Sequence, residues 1–244
     1  MTCRTIERHP VPTLPTRHLL PAAAALLLAT ATGCGAGSGD RADGGAANGS
    51  AASRIEAVNQ AMRETSFTAT GTTTAFEGAT QQTWWDPEQG FRMRISGSAP
   101  EHNGEMYCKD GTSYTSAPLF AAMLAQKGQR ISVPERLEDT FVATETGDCT
   151  AYFAIAPSGE YAPGKDTVID GTDALAIEVT AGGASDTYFV SGGAPDRLLR
   201  QEATRDGSTS TTEYGGYGEA VTVTVPSDEQ SLTMDEFRGE VLPG

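Results

Sequence analysis

VIDGTDALAIEVTAGGASDTYFVSGGAPDRLLRQEAT, residues 168–204, carries the clearest local pattern in the chain. Leu175, Ile177 and Val179 alternate with Ala176, Glu178 and Thr180, the period-two pattern of a strand that buries one face. Gly182-Gly183 and Gly192-Gly193 punctuate the run, and Asp186–Val190 and Leu198–Thr204 read as the next two strands. Asp206-Gly207 then leads into Thr209–Tyr214, and a last strand is expected over Ala220–Val225. Short turns between successive strands make this an antiparallel meander.

The same grammar extends upstream. Segments Ser66–Phe76, Ala79–Trp85 and Phe91–Ser96 are rich in threonine and aromatics. In the last of them Phe91, Met93 and Ile95 alternate with Arg92 and Arg94. Glu105–Lys109 and Thr112–Thr115 flank Asp110-Gly111, a strong hairpin signal. Trp84 and Trp85 are strand neighbours, so they point to opposite faces and only one of them can join the core. Helical spacing appears at three places. Ser53 and Glu56 form a capping box ahead of Ile55, Val58 and Met62. Pro118 opens a helix carrying Leu119, Phe120, Met123 and Leu124 and closed by Gly128. A further helix is expected from Pro134 to Gly147, with Ser132 and Glu135 as its capping box and Leu137 and Phe141 on one face. The fold class is therefore α+β, an antiparallel meander interrupted once by helices.

Residues 168–204 also resemble the repeating grammar of actinobacterial LppX/LprG-type lipoproteins, and YGEAVTVTVPSDEQSLTMDEF (217–237) is similar to that family's closing strand and acidic tail. The resemblance covers most of residues 54–237. It implies a strongly curved antiparallel sheet, a half-barrel of the LolA and LolB type, wrapped over a few helices that hold acyl chains against it. It implies no catalytic residues and no cofactor.

The start of the chain fits that reading. Arg4, Arg8 and Arg17 precede an apolar run from Leu19 to Ala31, whose 13 residues fall short of the roughly 18 needed to span a bilayer. Ala31-Thr32-Gly33-Cys34 resembles a bacterial lipobox, so residues 1–33 read as a lipoprotein signal and Cys34 as the lipid-attachment site. An ordinary signal peptide that happens to contain a cysteine is the alternative. Residues 34–53 are nearly all Gly, Ala, Ser, Asn and Asp after the cysteine, a tether with a root-mean-square reach of roughly 25 Å. Residues 54–244 are left as one domain. Two acyl chains on Cys34 would anchor the protein stably, on the extracytoplasmic face of the cell membrane.

Loss of residues 1–33 removes three of the 17 basic and one of the 32 acidic residues, which leaves a net charge of about −17. Nucleic acid and anionic headgroups are repelled by such a surface. Three lysines against 14 arginines, with abundant Ala and Gly, suggest a GC-rich genome. Cys108 and Cys149 remain as an even pair in an oxidising compartment, so a disulfide is expected; two free thiols or a metal site are the alternatives.

Catalytic signals are weak. Gly159-Glu-Tyr-Ala-Pro-Gly164-Lys165-Asp166 approaches a phosphate-binding loop, but Asp166 stands where Ser or Thr would hold magnesium, and a strand follows instead of a helix. His102 is the only histidine beyond the leader, and no G-x-S-x-G elbow is present. The chain is read as a monomeric non-enzyme without cofactor or metal. Its expected role is to carry a lipid or other apolar ligand, with Phe67, Ala69, Trp84, Phe91, Met93, Ile95, Phe120, Met123, Leu124, Leu175 and Ile177 lining the cavity between sheet and helices. The alternative is a scaffold with a packed core and protein partners.

Overall fold

The computed structural model describes residues 50–241. The leader, Cys34 and residues 35–49 lie outside the described residues.

Helix α1 (Ala51–Glu64) opens the domain. Strands β1 (Phe67–Thr72), β2 (Thr80–Asp86), β3 (Gly90–Ser96), β4 (Gly104–Lys109) and β5 (Thr112–Ser116) follow, then helix α2 (Ala117–Gln126) and β6 (Phe141–Glu145). Two short strands, β7 (Glu160–Tyr161) and β8 (Thr167–Ile169), precede β9 (Thr172–Ala181), β10 (Ala184–Ser191), β11 (Leu198–Arg205) and β12 (Ser208–Gly215). The chain closes with β13 (Ser231–Thr233) and helix α3 (Met234–Val241).

All 13 strands join one sheet in the order β13-β6-β5-β4-β3-β2-β1-β12-β11-β10-β9-β7, with β8 paired to β9 as well. Pairing of β1 with β12 welds the two meanders together, and only β13 against β6 runs parallel. The two ends of the sheet do not meet, so it curves without closing: an α+β half-barrel, as expected. At the β4–β5 turn Asp110 (φ 49°) and Gly111 (φ 81°) both take the left-handed region that a two-residue hairpin turn requires.

Register decides what faces the core. Phe67, Trp85, Phe91 and Cys108 stand opposite one another across β1–β4. They cluster with Ile55, Val58 and Met62 of α1 and with Ile177, Tyr188, Val190 and Leu198 from the other meander. Each such apolar side chain stabilises by about 1.5–3 kcal/mol on burial. Asn59 on α1 clamps the chain at Ile155, accepting from its N–H at 2.9 Å and donating to its carbonyl at 2.8 Å. A disulfide joins Cys108 to Cys149, with Cα atoms 5.5 Å apart.

Three expectations need correction. Ser50, not Ser53, caps α1, accepting from the Ser53 N–H at 3.2 Å, so the helix begins at Ala51 within the stretch read as tether. The helix expected from Pro134 does not form: Glu135–Leu137 is a single 3-10 turn and Phe141–Glu145 is strand β6. Strand β5 would otherwise present an unpaired edge, and β6 fills it while burying Val142 completely. Ala220–Val225 forms no strand and pairs with none. Its backbone is held by one side chain instead: Gln89 donates to the Val221 carbonyl and accepts from the Val223 N–H, both at 3.0 Å.

Candidate functional site

Nine of the ten residues of α2, APLFAAMLAQ, are apolar. A helix apolar all round belongs in a core or against another apolar body. Only Ala117, Leu119 and Ala121 are buried, while Phe120, Ala122, Met123, Leu124 and Ala125 stay half-buried. On one flank Leu119 packs with Phe76, Ala79 and Ile95, with Met93 and Met123 alongside. Gly104 permits this approach, because a Cβ there would come within 2.7 Å of the Leu119 Cβ. The His102 ring stacks on Phe76 at 4.2 Å, at the edge of the same cluster. On the other flank Phe120 meets Phe237 of α3 edge-on, with centroids 5.6 Å apart.

Two hollows border this helix. One, of about 190 Å³, lies between α2 and α3 and is walled by Phe120, Leu124, Ile131, Met234, Phe237 and Val241, with Gln129 and Arg238 as its polar members. The other, of about 290 Å³, is lined by Pro118, Ala121, Ala122, Ala125, Ile131 and Val133, with the carboxylates Glu101 and Glu138. Ile131 borders both. A larger hollow of about 410 Å³ lies beside the loop Gly192–Pro195 and is lined as well by Thr172, Asp173, Ser191, Arg197 and Leu199.

The residues expected to line a ligand therefore separate into five places. Phe67, Phe91 and Ile177 are fully buried in the cluster under α1, with Leu175 half-buried against it. Met93, Ile95 and Met123 belong to the Phe76 cluster. Phe120 and Leu124 wall the α2–α3 hollow. Trp84 is on the outer face, opposite Thr68, and Trp85 is the inward-pointing member of the pair.

Ala69 is buried on the inner face, but its surroundings are polar. Its strand partners are Thr83 and Tyr214. Nearby, Gln81 donates to the Thr212 hydroxyl at 2.9 Å, and the Tyr214 hydroxyl donates to Gln201 at 3.3 Å. Asp186 accepts from Arg205 at 2.6 and 2.8 Å. Burial, reinforced by Asp186, pushes the Tyr188 hydroxyl up to about 12, and burial likewise raises Tyr214, so both hydroxyls remain protonated.

On the outer face the Arg92 guanidinium lies 4.9 Å over the Trp84 ring. Glu105 accepts from Arg92 at 2.6 Å, from Arg94 at 2.9 Å and from the Tyr107 hydroxyl. Burial by itself would raise the Glu105 carboxyl; the hydrogen bonds from Tyr107, Arg92 and Arg94 outweigh it and hold the group below its ordinary value.

The phosphate-loop look-alike is a 3-10 turn at Pro163–Lys165. Lys165 is bound to Glu178 at 2.6 Å, and Asp166 accepts from the Ala176 N–H. These contacts tie the loop to β9 and leave no amide cradle. Among the described residues no group of three or more His, Cys, Asp or Glu is placed to hold a metal. None of them forms a helix long and apolar enough to cross a membrane.

Sequence reading missed Ile131 and the whole of α3. The signal was present in MDEFRGEV, where Met234, Phe237 and Val241 recur at helical spacing.

No family model matches the sequence, and no curated protein is similar to it. Among solved structures the chain is similar to an uncharacterized conserved protein from Thermus thermophilus, at 12% identity and TM-score 0.47, covering 74% of this chain and 97% of that one. It is also similar to the lipoprotein LppX of Mycobacterium tuberculosis, at 11% identity and TM-score 0.43, with coverage of 71% and 97%. A third is LprF from Mycobacterium bovis, at 12% identity and TM-score 0.39, with coverage of 73% and 100%. LppX and LprF are thus among the structural neighbours of this chain.

Proposed function

We propose that this protein is an extracytoplasmic lipoprotein, anchored through Cys34, that takes up an acyl chain or similar apolar ligand beside α2. One observation carries the reading: a helix with nine apolar residues in ten is left half-covered, with a mostly apolar hollow on each side of it. Six methylene groups seated there would contribute about 5 kcal/mol before the cost of immobilising the chain. The acidic surface keeps anionic bilayers at a distance, so attachment to the membrane falls to the lipid on Cys34.

A second reading has its own support. Phe67, Phe91, Ile177 and Val58 are fully buried, so the space between α1 and the sheet is filled by the protein's own side chains. On that reading the chain is a scaffold, and α2 is the patch that meets a protein partner.

Native mass spectrometry of the full chain, extracted from membranes in mild detergent, separates the two. The carrier reading expects co-purified lipid in the wild type and its loss in Leu124→Trp, which fills the hollow. A ligand-free wild type indistinguishable from that variant would move the assignment to the scaffold.

A further inference from the structure

We propose that the ligand of the α2–α3 hollow is a medium-chain monocarboxylate, its carboxylate held by Arg238 at the mouth and its chain lying against Phe120, Leu124 and Ile131. This rests on the acyl-binding reading and narrows it to one chemical class. Met234, Phe237, Arg238 and Val241 all border the hollow, at spacings i, i+3, i+4 and i+7 along α3. That is the apolar stripe of an amphipathic helix, with an arginine standing where an apolar residue would continue it. Its long aliphatic stem can lie along the apolar wall while the guanidinium reaches water.

The acids of α3 leave that guanidinium accessible. Glu236 is turned back to the N-terminus of its own helix, accepting from the Thr233 N–H at 2.8 Å and hydroxyl at 2.7 Å. Glu240 pairs with Arg136. Asp235 does reach Arg238, at 3.1 Å, but the two side chains are 93% and 61% exposed. An i,i+3 pair so open to solvent holds its partner weakly, and one Asp oxygen leaves the planar guanidinium with donors to spare. A ligand carboxylate can take those donors in the two-pronged geometry that arginine favours. Gln129, the other polar residue of the wall, can add an amide donor.

Size sets the chain length. A volume of about 190 Å³ corresponds to roughly six molecules of liquid water at ~30 Å³ each, and a methylene group is of similar size. Six or so carbons fit inside with the carboxylate outside.

The test is calorimetric titration of the purified full-length protein with octanoate and, separately, with 1-octanol, for wild type, Arg238→Gln and Leu124→Trp. Octanoate should bind the wild type and lose at least ten-fold in affinity in Arg238→Gln. Octanol should lose far less affinity than octanoate in Arg238→Gln, and its retained binding also shows that the variant keeps its hollow. Leu124→Trp should abolish both. Equal octanoate binding by wild type and Arg238→Gln would overturn the carboxylate assignment and leave apolar binding intact. Failure of both ligands to bind the wild type would remove the acyl-binding reading along with it.

Discussion

Phe91 of β3 and Tyr152, in the turn that begins at Cys149, lie with ring centroids 4.8 Å apart and planes 16° from parallel. The Tyr152 hydroxyl also donates to Ser113 of β5 at 3.0 Å, and Phe153 packs edge-on against Phe67 at 5.1 Å. Aromatic packing therefore holds this turn on the sheet at the same place as the Cys108–Cys149 bond. The bond's main contribution falls on the unfolded chain, whose ends it ties across 41 residues.

Replacing both cysteines by alanine should thus lower stability by about 2–4 kcal/mol without changing the fold. Urea unfolding of the double variant measures the loss, and near-ultraviolet circular dichroism reports whether the Phe91–Tyr152 environment survives. Two titratable thiols in the unfolded, unreduced wild type would contradict the disulfide outright.

Asn59 answers both backbone groups of Ile155, and Ile155 itself is almost fully buried. Asn59→Ala leaves a buried N–H and a buried carbonyl without partners, which should cost about 2–4 kcal/mol. Asn59→Asp keeps the acceptor but turns a charged carboxylate oxygen toward the Ile155 carbonyl, so its loss should be at least as large. Denaturant midpoints of the two variants, compared at neutral pH, check the order.

How much of this was legible in the sequence varies by element, for physical reasons. Strands β9–β12 were legible because glycine-bearing turns and strict alternation agree with each other. Strand β6 was not. Leu137 and Phe141 sit four apart behind a plausible capping box, and only the open edge of β5 makes the extended form the better one. In 220–225 the alternation of Val221, Val223 and Val225 shows which side faces inward, and Val223 is indeed buried. Alternation does not say whether the backbone pairs, and here a glutamine side chain substitutes for a neighbouring strand. The α2 half of the candidate site was legible through Phe120 and Leu124. Its α3 half was not, because eight residues with one buried side chain leave a faint pattern.

Glu105 gives a pH signature. Its carboxyl is held below the ordinary 4.5, so it contributes stability above that pH, and the contribution is lost as pH falls through the lowered folded value. Glu105→Gln should cost about 1–2 kcal/mol at pH 7, and the gap to wild type should close under acid conditions below pH 4.5. Thermal unfolding from pH 3 to 7 tests this, with Trp84 fluorescence as a local probe through its contact with Arg92. A gap that stays constant across the range would rule out the proposed linkage.

For Cys34 the expectation is set by the two acyl chains that a lipobox cysteine receives. Cys34→Ala should move the protein from the detergent phase to the aqueous phase on phase separation and change its processing. Retention in the detergent phase would mean that something other than that cysteine holds it.

Gly159 decides whether ligand space exists under α1. It is buried, and a Cβ there would meet the Ile177 Cγ2 at 2.8 Å, the Ile55 Cδ1 at 2.9 Å and the Val179 Cγ2 at 3.2 Å. In a filled core those atoms must be displaced, so Gly159→Ala should cost about 1–3 kcal/mol. Were the region instead an open acyl channel, the added methyl would have room, and stability would be unchanged or slightly raised. The two hollows beside α2 share no lining residue with this contact. Gly159→Ala should therefore unfold at lower urea yet bind octanoate with wild-type affinity below its unfolding transition. Loss of binding with stability intact would place the ligand under α1 and count against the site beside α2.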